Sequence, residues 1–131
     1  MTTVTSPSIG FDYALLYAVP RVDRGERINV GALLYSREAD FLGAAIHLDE
    51  ARLRALDPGV DVQGVAAALD AIRAICSGDR TAGPAAAGPA RTRFGWLTAP
   101  RSAIVQPSPV HCGITADPAA ELDRLMRRYV H

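Results

Sequence analysis

The chain has 131 residues, 49% of them apolar, with 14 basic residues against 14 acidic ones. One domain of this length buries a core without staples, this apolar content is too high for a disordered chain, and two cysteines are too few for a disulfide framework. The zero net charge speaks against a nucleic-acid partner, whose phosphates call for a basic excess, and no apolar run approaches the ~20 residues of a membrane helix.

Residues 1–10 are small and polar and are expected to form a flexible tail, with residues 11–131 as the single domain. No positive charge followed by an apolar stretch opens the chain, so the expected location is the cytoplasm. Tyr13 to Val19 is apolar on both faces and reads as a central strand ended by Pro20. A polar linker, Arg21 to Arg27, leads to a second strand, Ile28 to Tyr35. After a turn at Ser36 to Asp40 comes a third, Phe41 to His47. Short connections make the three an antiparallel meander.

Asp49 then caps a short helix to about Leu56, with Leu48 placed to staple onto Leu53. Asp61 caps the next helix. Its apolar stripe is Val62, Val65, Leu69, Ile72 and Cys76, so Cys76 reads as a small buried hydrophobe, and Gly78 is the expected C-terminal cap. Residues 79–93 are rich in alanine, glycine and proline and read as an exposed, mobile loop. Phe94 to Leu97 and Ser102 to Gln106 are expected strands joined by a turn at Ala99-Pro100-Arg101, with Trp96 expected in the core. Val110 to Thr115 fits either a strand or a loop. Asp117 and Pro118 open a last helix with Leu122, Leu125, Met126, Tyr129 and Val130 on one side. Strands cluster ahead of helices, so the predicted class is α+β: an antiparallel sheet of about five strands with two or three helices packed on one face.

All the basic residues are arginine, so any anion site must use guanidinium groups or backbone amides. The Arg21 to Arg27 linker is too long for a tight hairpin and carries five charges. Asn29 and Gly31 share a face of the strand after it, and a glycine inside a strand leaves room for a ligand or another backbone. The functional reading gathers Arg24, Glu26 and Asn29 there, with Arg101 (and Arg93) completing a fork for a phosphate or carboxylate. The bland reading is a solvated loop with ordinary ion pairs. His111 is a candidate acid or base without a named partner. The three histidines are far apart in sequence, and adjacent His111 and Cys112 point to opposite faces of a strand, so no metal site is expected, and no cofactor motif is present.

Three segments resemble a bacterial family known as domain of unknown function 3037. They are Tyr13 to Pro20 with Arg24-Gly25-Glu26 and Asn29-Val30-Gly31; Phe94 to Ser102 with Ile104-Val105-Gln106 and Val110-His111; and Thr115-Ala116-Asp117-Pro118. The similarity runs from about Tyr13 to Val130. Members resembling this chain are associated with neighbouring kinase-like proteins related to persistence toxins, which implies a partner role. Three readings of function follow. The first is an accessory or binding protein that acts with a protein partner, kinase-like by that resemblance, through an arginine-rich surface. The second is a small enzyme on a phosphate-bearing or nucleotide-like substrate, with Glu26 or His111 as acid or base and Arg24 and Arg101 holding the anion. The third is a structural homodimer built on an edge strand.

Overall fold

A computed structural model of the protein describes residues 8–131. The first seven residues of the expected tail lie outside the described residues. Five strands form one antiparallel sheet: β1 (Ile9–Ala18), β2 (Ile28–Ser36), β3 (Phe41–Ile46), β4 (Val105–Pro107) and β5 (His111–Thr115). The order is β3-β2-β1, and β4 and β5 share the far edge of β1. β5 pairs with Ile9 to Tyr13, and β4 with Leu16 to Ala18. The segment that fitted either a strand or a loop is therefore a strand. It also extends β1 back to Ile9, ahead of the apolar run.

The first three strands form the expected meander, and apolar residues on both faces place β1 and β2 in the sheet interior. Between β2 and β3, Asp40 takes a left-handed conformation (φ 48°), which a short polar side chain tolerates better than most.

Three helices cover one face: α1 (Glu50–Leu56), α2 (Val62–Ser77) and α3 (Ala90–Thr98). Leu16, Val30 and Leu33 from the sheet pack there against Leu53, Val65, Leu69, Cys76, Phe94 and Leu97. The caps are those expected: Asp49 accepts from the Arg52 amide at 3.1 Å, Asp61 from the Gly64 amide at 3.0 Å, and Gly78 closes α2 at φ 75°. A fourth helix, α4 (Pro118–Tyr129), capped by Asp117, lies on the opposite face. Its Leu122, Leu125 and Met126, with Val130 just beyond, pack on Phe11, Ala32 and Leu34. Both sides of the sheet thus bury apolar side chains, with one more helix than expected. No helix among the described residues is long and apolar enough to cross a membrane.

One expected strand is a helix. Phe94 to Leu97 lies inside α3, preceded by two short 3-10 turns at Arg80–Ala82 and Pro84–Ala86. A four-residue apolar run has no decisive period, and the spacing of three between Phe94 and Leu97 fits a helical face equally well. Both are buried, and the helix turns Gly95 and Trp96 outward. Trp96 is 52% exposed, so it is not the core tryptophan the sequence suggested.

Candidate functional site

The β1–β2 linker folds back on itself, with the Arg24 and Gly25 amides donating to the Arg21 carbonyl. Gly25 is left-handed at φ 74°, where glycine avoids the clash of a side chain. Arg21 pairs with Asp23 at 3.0 Å and Arg24 with Glu26 at 2.5 Å. The hydrogen bond from Arg21 holds the Asp23 carboxyl below its ordinary range. Pro20, Arg21, Arg24 and Glu26 line a small cleft of about 150 Å³ with Leu56, Asp57 and Pro58 from the end of α1. Each arginine here already faces a carboxylate, and Asp57 adds a third acid, so the cleft has no positive charge to spare.

The other candidates go elsewhere. Asn29 donates through Nδ2 to the Tyr129 carbonyl at 2.9 Å, tying β2 to the end of α4. Gly31 makes room for backbone: a Cβ there would sit 2.6 Å from the Ala45 carbonyl oxygen of β3. Arg101 caps α3. Its guanidinium donates to the Trp96 and Ala99 carbonyls and lies 5.6 Å from the centre of the Trp96 ring. Arg93 does the same for α2, donating to the Cys76 carbonyl at 2.9 Å. His111 sits exposed on β5, its ring 5.2 Å from that of Tyr13. Arg24 and Glu26 therefore meet, and Asn29, Arg101 and His111 are each held by another part of the fold. Among the described residues, no three of His, Cys, Asp and Glu gather where a metal ion could sit.

Two features escape the linear reading. Ile75, Ala82, Pro84, Ala85 and Trp96 line an open hollow of about 510 Å³ between α2, the 3-10 turns and α3. Its walls are apolar, and Arg101 stands beside the indole. Reading 94–97 as a strand hid it; helical spacing was the available signal. The second is a row of aromatic side chains on β1, Tyr13 and Tyr17, which strand alternation puts on one face. Burial, then the neighbouring Tyr129, pushes the Tyr13 phenol up.

A family model described as "Protein of unknown function (DUF3037)" matches residues 13–130. The chain belongs to this family. No curated protein and no solved structure matches the DUF3037 chain significantly.

Proposed function

We propose that this DUF3037 protein is a cytoplasmic bacterial accessory protein that binds a protein partner, of the kinase-like class suggested by the family resemblance. The observation that carries the reading is the hollow around Trp96, apolar on its walls and flanked by the Arg101 guanidinium. An exposed tryptophan costs solvation that a monomer would avoid by turning it inward, and Phe94 and Leu97 of the same helix are turned inward. Tryptophan and arginine in a desolvated pocket are also the residue types that dominate protein interfaces. The enzyme reading calls for Arg24, Glu26 and Arg101 around one cleft, and only the first two line it.

Trp96 is the sole tryptophan, so it reports on its own site. Titration with a kinase-like protein from the same host should shift the indole emission to the blue. Trp96→Ala should weaken the complex more than ten-fold, about 1.4 kcal/mol or more, with an unchanged thermal midpoint. Equal affinity of wild type and variant would overturn the reading.

A further inference from the structure

We propose that the half of the sheet left open beside α4 is a separate binding face, for single-stranded nucleic acid. α4 packs over β2, β3 and Phe11 of β1, leaving half-buried Tyr13 and Tyr17 of β1, and β5, at its flank. Tyr13 and Tyr17 lie on that face. Tyr13 pairs with Leu34, which packs under α4, and Tyr17 with Asn29, whose side chain reaches the end of α4. His111 on β5 stands beside Tyr13, and the exposed Tyr129 ring of α4 borders the same surface.

Two guanidinium groups are set among these rings. That of Arg27 lies 4.2 Å from the centre of the Tyr17 ring, and that of Arg128 lies 5.3 Å from the centre of the Tyr129 ring. Arg21, Arg24, Arg73 and Arg124 each pair with a carboxylate, whereas Arg27 and Arg128 have no such partner among the described residues. Glu121, whose charge acts on Tyr13, is buried and bonded to Arg124 at 2.7 Å. The face thus offers ring surfaces and uncompensated positive charge, and the zero net charge of the chain conceals this local excess.

A ligand that matches must carry planar rings and negative charge at short intervals. Single-stranded nucleic acid does: its bases stack on aromatic side chains whatever their sequence, and its phosphates meet arginine. Tyr13 and Tyr17 are four residues apart on one strand, about 13 Å, a span that two bases of one strand can bridge. An acidic peptide would supply the charge without the rings.

Fluorescence anisotropy with labelled eight-nucleotide strands of deoxythymidine and of uridine tests the proposal, with an abasic strand of equal length and a poly-glutamate peptide as comparisons. Either nucleotide strand should bind at low salt, with log K falling against log salt at a slope of about −1.4 for two phosphate contacts. The abasic strand and the peptide should bind at least ten-fold more weakly. Tyr17→Ala and Arg27→Gln should each lower affinity about ten-fold, and Trp96→Ala should leave it unchanged. Arg27 is exposed, so its variant keeps the test open should Tyr17→Ala fail to fold. No binding by either strand, equal binding of abasic strand or peptide, or indifference to Arg27→Gln overturns the proposal. The partner reading, which rests on the Trp96 hollow, is untouched by any of these results.

Discussion

Ser108 makes two hydrogen bonds to Leu15. Its amide donates to the Leu15 carbonyl, and its hydroxyl accepts from the Leu15 amide, both at 2.8 Å. The hydroxyl in turn donates to the Pro109 carbonyl at 2.8 Å. Pro107 and Pro109 flank this residue, and proline cannot donate to a sheet ladder. The far edge of the sheet therefore breaks into β4 and β5, and one buried side chain bridges the break. Ser108→Ala would strand the Leu15 amide and should cost about 1–3 kcal/mol. Thermal melting should show a fall of several degrees, with faster hydrogen exchange at Leu15. An unchanged midpoint would show that this amide does not depend on the hydroxyl.

Asn29 and Arg24 make a contrasting pair. Asn29 ties β2 to α4 across 100 residues of chain, whereas the Arg24–Glu26 pair is largely in solvent, at 59% and 46% side-chain exposure. Exposed ion pairs contribute little. Arg24→Ala should therefore change stability by less than about 0.5 kcal/mol, while Asn29→Ala should cost about 1 kcal/mol. Urea denaturation of the two variants decides it. A larger loss from Arg24→Ala would make the linker part of the fold's support.

Wherever period and chemistry agreed, the sequence was legible. Asp49, Asp61 and Asp117 each cap the helix they were expected to cap, because a short carboxylate before an apolar stripe has one good use. The meander followed from the brevity of its connections. Phe94 to Leu97 failed because four apolar residues carry no period. The proposed gathering of arginines failed for a different reason: Arg93 and Arg101 are claimed by the free carbonyls at the ends of α2 and α3, and those helix ends were not all visible in advance. Gly78 joins the first of these caps. A Cβ there would come within 2.8 Å of the Arg93 guanidinium, a requirement no linear pattern states. The ring centres of His47 and His131 are 4.7 Å apart although the residues stand 84 positions apart in the chain, a meeting that only the docking of α4 creates.

The two cysteines should behave as chemically different groups. Cys76 is buried in the core under the sheet, and burial pushes its thiol up to about 11, partly offset by Arg93. Cys112 is exposed on β5. A thiol reagent at neutral pH should therefore modify Cys112 quickly and reach Cys76 only on unfolding, since the thiolate is the reacting form. The same shift sets a pH dependence. In the folded state Cys76 keeps its proton to a higher pH than in the unfolded chain, where the ordinary value is 9.0. Its contribution to stability is then complete below about pH 9 and is lost as pH rises toward 11, reaching about 2 kcal/mol by pH 10.5. Urea denaturation at pH 8 and at about pH 10.5 should show wild type losing that much more stability than Cys76→Ala over the interval. Parallel losses in the two proteins would mean that the thiol does not titrate late and that the alkaline fall belongs to other groups, with the raised Tyr13 phenol the first to examine.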